Sequence, residues 1–190
     1  MEGWGVAKIE NEWRYGLPRA GPIYCMARTK GSFVSAKPSV LFVCLGNICR
    51  SPLAEAAFRA EAQRLGLDVE IDSAGIGDWH EGEPPDPRAR ATAKRHGIDI
   101  DSYRARQVRQ DDFTRFDLIL GLDRENLSEL KNLFPRDATA KLGLLLDHVP
   151  GSEGKAVPDP YYGGTREFEL VWSEVSRAAR ALAAEIAGRK

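Results

Sequence analysis

Val40-Leu41-Phe42-Val43-Cys44-Leu45-Gly46-Asn47-Ile48-Cys49-Arg50-Ser51-Pro52 is the stretch on which the fold of this chain turns. Val40 to Val43 is a short, unbroken apolar run, the pattern of a strand buried on both faces of a parallel sheet. Ser51-Pro52 reads as an N-cap followed by proline at the first helical position. The helix it opens continues through Leu53, Ala56, Ala57, Ala60 and Arg64 to a stop at Gly66. A strand-to-helix connection of this length can curl until its backbone N–H groups face inward, an anion nest closed by the helix N-terminus. Gly46 permits close backbone approach, and Asn47 is one of the few non-glycine types that accept a positive φ. Arg50 brings a planar donor fork that suits a phosphoryl group. The Cys44 sulfur lies beneath that array, whose dipoles and cation favour the nucleophilic thiolate. The G-x4-G-K-[ST] pattern of a nucleotide-binding loop is absent.

Working outward, strand-like and helical runs alternate. Val69 and Ile71 mark a second strand that ends near Ser73-Ala74-Gly75, and Ala89 to His96 reads as a helix halted by Gly97. Phe116 to Leu120 is a third strand, with a helix from about Asp123. Leu142 to Leu146 fits strand or buried helix by pattern alone, and its place in the alternation favours strand. The last helix runs from about Phe168 to Ala187, with Leu170, Val171, Val175, Ala178, Ala179, Leu182 and Ile186 on one face. The expected fold class is therefore α/β: a parallel sheet with helices on both faces and a phosphate-binding loop after its first strand. Residues 1–37 show no period of 2 or 3.6. They are expected to form a disordered tail ahead of a domain over residues 38–190, despite the aromatic residues Trp4, Trp13 and Tyr15. Met26 offers a later translation start.

Composition narrows the function. The 190 residues carry 27 Lys plus Arg against 28 Asp plus Glu, a net charge of −1, which excludes an electrostatically driven nucleic-acid binder. No apolar run approaches the roughly 18 residues that span a bilayer, so no membrane partner is expected. Three cysteines in a chain of this size point to the reducing cytoplasm rather than to a disulfide framework. The three histidines are scattered and no C-x2-C occurs, so no metal site is expected.

A thiolate that attacks a phosphorus ester needs an acid for the leaving oxygen. Val157-Pro158-Asp159-Pro160-Tyr161-Tyr162-Gly163-Gly164 offers one. Two prolines fix the backbone of Asp159, and the aromatic residues are expected to desolvate its carboxyl so that it can carry a proton. Ile48, Trp79, Tyr161 and Tyr162 together suggest a flat apolar slot for a phenyl ring.

The stretch Val40 to Ala56 closely resembles the signature of the low-molecular-weight protein tyrosine phosphatases. Asp159-Pro160-Tyr161-Tyr162-Gly163 matches that family's acid loop, and Ser73-Ala74, Pro84-Pro85-Asp86, Arg95-His96-Gly97-Ile98, Phe116-Asp117, Asp123 and Asn126 fall in order. The resemblance implies a four-stranded parallel sheet and hydrolysis of phosphotyrosine through a phosphocysteine on Cys44, with Arg50 and Asp159 as its catalytic partners. It implies that Leu45, Gly46, Asn47, Ile48, Cys49 and Ser51 bind the phosphoryl group, that Ser51 assists thiolate departure, and that Asn47 and Ser73 brace the loop. No cofactor or metal is implied. The expected partners are tyrosine-phosphorylated proteins, and the protein itself is expected to be mainly monomeric. One departure is Tyr103, which stands where many relatives carry His shortly before Ala105-Arg106-Gln107. His96 matches the family's other histidine, with a helix-end role as the plain alternative.

Three rivals are disfavoured by particular residues. Protein-arginine phosphatases usually have Thr in place of Ile48. An arsenate reductase needs a cysteine relay, for which Cys25 is the sole residue left beyond Cys44 and Cys49. A non-catalytic phosphoprotein-binding module would lack the nucleophile or the acid, and both Cys44 and Asp159 are present.

Overall fold

The structure, a computed structural model, describes residues 37–188. The expected tail, Lys37 excepted, lies outside the described residues.

Four parallel strands form one sheet in the order β2-β1-β3-β4: β1 (Ser39–Cys44), β2 (Glu70–Gly75), β3 (Leu118–Gly121) and β4 (Lys141–Leu144). All of β1 is buried, because it is paired on both edges and covered on both faces. Its side chains alternate between two cores. Val40, Phe42 and Cys44 join α1 (Arg50–Arg64), α2 (Pro87–Arg95) and α5 (Thr165–Ala187) on one face. Leu41 and Val43 join α3 (Asp112–Arg115) and α4 (Arg124–Leu133) on the other. Each fully buried side chain of this kind contributes about 1.5–3 kcal/mol relative to exposure. No helix among the described residues is long and apolar enough to cross a membrane.

Several boundaries differ from those the sequence suggests. Ser51 is not the N-cap of α1: Cys49 occupies that position without a side-chain cap, and the Ser51 hydroxyl is turned to other partners. The cap followed by proline occurs instead at Asp86-Pro87, where the Asp86 carboxylate accepts from the Arg88 N–H and α2 starts two residues early. The third strand begins at Leu118, because Phe116 and Asp117 leave α3, a short helix with no visible period in the sequence. The run Leu142 to Leu146 divides: β4 ends at Leu144 and a 3-10 turn takes Leu145–His148. Leu170 is about half exposed and off the apolar face of α5, whose buried stripe runs through Phe168, Val171, Trp172 and Val175. The stop of α1 falls as expected, with Gly66 at φ +62 and the Leu67 N–H bonded to the Ala62 carbonyl at 2.9 Å.

Candidate active site

The strand order places the chemistry. Chain connections leave β1 toward β2 and leave β3 toward β4, so a crevice opens between the carboxyl ends of β1 and β3. The connection from β1 to α1, residues 45–49, lies at that crevice. Asn47 has φ 56, the one positive φ outside glycine among the described residues. The outer side of the loop is tied down: the Cys44, Leu45 and Ile48 carbonyls accept from the N–H groups of Ile76, Gly77 and Asp86, each at 2.9 Å.

A buried polar chain runs beneath the loop. The Ser51 hydroxyl is 3.1 Å from Cys44 Sγ and accepts from Asn47 Nδ2 at 2.8 Å. Asn47 Nδ2 also donates to Ser73 Oγ at 3.0 Å, and Ser73 donates to the Glu55 carboxylate at 2.6 Å. On its other side Asn47 Oδ1 accepts from the Arg106 N–H at 2.9 Å. Arg106 is itself held between Asp72 and Asp112. Burial pushes the Glu55 carboxyl up, while Ser73 and Arg59 pull it down.

Arg50, the first residue of α1, is buried with its guanidinium between two carboxylates. Nη1 meets Asp123 Oδ2 at 2.6 Å, and Nη2 meets Asp159 Oδ2 at 2.7 Å. Burial opposes the Arg50 charge, but its neighbours Cys44, Asp159 and Asp123 favour it and hold the guanidinium above its ordinary value. Cys44, Leu45, Gly46, Ile48, Cys49 and Arg50 form the floor of one cleft of about 210 Å³. Trp79, Asp159, Tyr161 and Tyr162 stand around it. The Trp79 ring lies against Gly77, where any Cβ would fall inside the indole. The expected desolvation of Asp159 by aromatic rings is not found. Its side chain is 46% exposed and rests on Arg50, and Tyr162 is 97% exposed at the rim. Burial pushes the Cys49 thiol up, with Asp86 and Cys44 adding to the effect.

The family model of the low molecular weight phosphotyrosine protein phosphatases matches residues 39–190. This chain belongs to that family. A protein-tyrosine-phosphatase of Streptomyces coelicolor in the low molecular weight class is 49% identical over 153 residues, covering 77% of this chain and 92% of the relative. YfkJ of Bacillus subtilis, of the same class, is 45% identical over 154 residues, covering 80% and 97%. The crystal structure of YfkJ superposes with a TM-score of 0.75 at 43% identity, covering 85% of this chain and 99% of that one.

Within this phosphatase family fold, several residues at or near the site make contacts that pattern reading does not show. Glu55 looks like a surface glutamate of an amphipathic helix, yet it is buried; the signal was its i,i+4 spacing from Ser51 and to Arg59. Asp123 both caps α4, through the Asn126 N–H at 2.6 Å, and pairs with Arg50. His80 lines the cleft with Nδ1 bonded to Glu83 at 2.7 Å, and its ring would meet a Cβ on Gly46 at 3.1 Å. Tyr103 borders a smaller cavity of about 100 Å³ behind the loop, beside Asn47, Ser73 and Glu55. Burial pushes its hydroxyl up to about 12, and Arg59 bridges it to Glu55 and to the Ile71 carbonyl. His96 caps α2, stacks on Trp172 with centroids 4.7 Å apart and pairs with Glu169, which is the helix-end role.

Proposed function

We propose that this protein-tyrosine phosphatase hydrolyses phosphotyrosine through a phosphocysteine on Cys44, with Asp159 as the general acid. The observation that carries the reading is the convergence of a nucleophile, a buried guanidinium and a carboxyl group on one cleft. With the Cys44, Leu45 and Ile48 carbonyls engaged outside, peptide planarity turns the N–H groups of Leu45, Gly46 and Cys49 the opposite way, available to phosphate oxygens. The first turn of α1 has no side-chain cap and adds its own free donors. Arg50 holds two further oxygens.

In the first step Cys44 Sγ attacks phosphorus and the bond to the tyrosine oxygen breaks. Asp159 gives that oxygen its proton and leaves as carboxylate. In the second step Asp159 takes a proton from water, whose oxygen attacks phosphorus, and the S–P bond breaks. The Ser51 hydroxyl, 3.1 Å from Sγ, donates to the departing thiolate. Asn47, Ser73 and Glu55 fix that hydroxyl in place. Trp79, Tyr161 and Ile48 favour a phenyl ring over the short stem of phosphoserine.

The substrates are tyrosine-phosphorylated proteins of the cytoplasm, met by a monomer that needs no cofactor. Side-by-side turnover of phosphotyrosine, phosphoserine and phosphoarginine peptides tests the substrate, with phosphotyrosine expected to dominate. Cys44→Ser tests the chemistry: it is expected to abolish turnover and ³²P trapping on the protein. Substantial hydrolysis by that variant overturns the mechanism.

A further inference from the structure

Asp159 has two hydrogen-bond partners, Arg50 in the cleft and the Tyr161 N–H within its own loop. Its partner in the cleft is Arg50, the group that substrate phosphate takes. Once phosphate takes that guanidinium, the placing of Asp159 falls to the contacts that the rest of the acid loop makes.

Arg88, in the first turn of α2, reaches across to that loop. Its Nη1 donates to the carbonyls of Tyr161 at 3.0 Å and Gly163 at 2.7 Å. The remaining donors are fixed by Asp86: Nε to Oδ1 at 3.0 Å and Nη2 to Oδ2 at 2.7 Å. The guanidinium also lies over the Phe168 ring, 4.8 Å from its centroid, at the start of α5. Asp86 completes the connection, since its backbone N–H donates to the Ile48 carbonyl in the phosphate loop. Asp159 lies two residues before Tyr161, whose N–H donates to Asp159 Oδ1 at 3.1 Å.

We propose that Arg88 is a positioning residue that holds the acid loop over the phosphate loop, and so keeps Asp159 within reach of the leaving oxygen after phosphate has displaced it from Arg50. The assignment rests on Asp159 being the acid. A fork is required here because one side chain must serve a carboxylate and two carbonyls at once, which a single ammonium cannot do in that geometry. Arg88 is the main reason that the Asp86 carboxyl sits below the usual carboxylate range, so the pair stays charged through the working range of a phosphatase.

The test compares Arg88→Lys and Arg88→Met with Asp159→Asn on a series of aryl phosphates with progressively more acidic leaving groups. A misplacement of about 1 Å costs roughly 10²-fold, so kcat/KM for phenyl phosphate and phosphotyrosine, which reports formation of the phosphocysteine, is expected to fall about 10- to 100-fold in the Arg88 variants. For dinitrophenyl phosphate, whose leaving group needs no protonation, kcat/KM is expected to stay within about 2-fold, as is the inhibition constant for vanadate, while kcat falls alike for all substrates wherever the shared hydrolysis of the phosphocysteine limits it. In an Asp159→Asn background the Arg88 substitutions are expected to add no further leaving-group dependence. An equal loss of kcat/KM across the whole series, weakened vanadate inhibition, or no loss at all overturns the role of Arg88. If Asp159→Asn itself loses kcat/KM equally across the series, the acid assignment fails. If Asp159→Asn is leaving-group dependent and the Arg88 variants are not, only the positioning role fails. Arg88→Lys keeps the charge and stem, so it carries the test should Arg88→Met fold poorly.

Discussion

Asp159 Oδ2 accepts a hydrogen bond from Arg50 Nη2 at 2.7 Å, so the assigned acid occupies a donor that the assigned phosphate ligand requires. A carboxylate oxygen thus holds the place that the proposed mechanism gives to a phosphate oxygen. On the proposed mechanism, substrate phosphate takes Nη2 from Asp159 and thereby frees the carboxyl to face the leaving oxygen. On that reading, binding and arming of the acid are one event.

Asp159→Asn is therefore expected to separate chemistry from binding. Turnover of phenolic phosphates is expected to drop by roughly 10²–10⁴-fold, the usual contribution of a general acid. Inhibition by vanadate is expected to be at least as tight as in the parent, because a competing negative charge has gone. A steady-state series over leaving groups, with vanadate titrations, measures both; weaker vanadate binding contradicts this relationship.

Glu55 gives a prediction in pH. Burial raises its folded-state value above the ordinary 4.5, so the folded protein holds that proton more tightly than the unfolded chain does. Stability from this group increases as pH falls from neutral through the raised value, and levels off below the unfolded value. Glu55→Gln removes the dependence. The Tm of the variant minus that of the parent is expected to be most positive at neutral pH and to shrink on acidification. A difference that is constant or that grows as pH falls would contradict the burial argument.

Cys44 and Cys49 bracket the phosphate loop, both are free thiols, and both line the cleft. Hydrogen peroxide is expected to oxidise Cys44 to a sulfenic acid, which the Cys49 sulfur attacks with loss of water to give a disulfide. Dithiothreitol is expected to restore activity in the parent and much less in Cys49→Ser. Because burial pushes the Cys49 thiol up, disulfide closure is expected to accelerate with rising pH. Equal recovery in both proteins would leave Cys49 a packing residue.

The sequence was legible where one local rule governed. Val40 to Val43 reads as a strand buried on both faces and is one, Asn47 carries the positive φ its type allows, and Gly66 ends α1. It misled where a side chain had a tertiary use. Ser51 has the composition of a cap, but its hydroxyl bonds Asn47 and Cys44 instead of the backbone of α1. Asp159 was expected under aromatic cover and is found on Arg50, 109 residues away in the chain. Glu55 and Arg88 were silent, and Asp123 showed only as a helix start and a family match, because ordinary helix positions explain a Glu, an Asp or an Arg without reference to the fold. Their partners Ser73, Arg50 and Gly163 become neighbours only once the sheet is assembled.

Gly77 has no chemistry of its own, yet the Trp79 indole rests where its side chain would be. The place of that ring beside the cleft thus depends on a missing methyl group, on the same residue whose N–H holds the Leu45 carbonyl of the loop after Cys44. A lineage that accepted alanine or serine at position 77 would have to move the ring, and so would reshape the cleft mouth without touching Cys44, Arg50 or Asp159 directly.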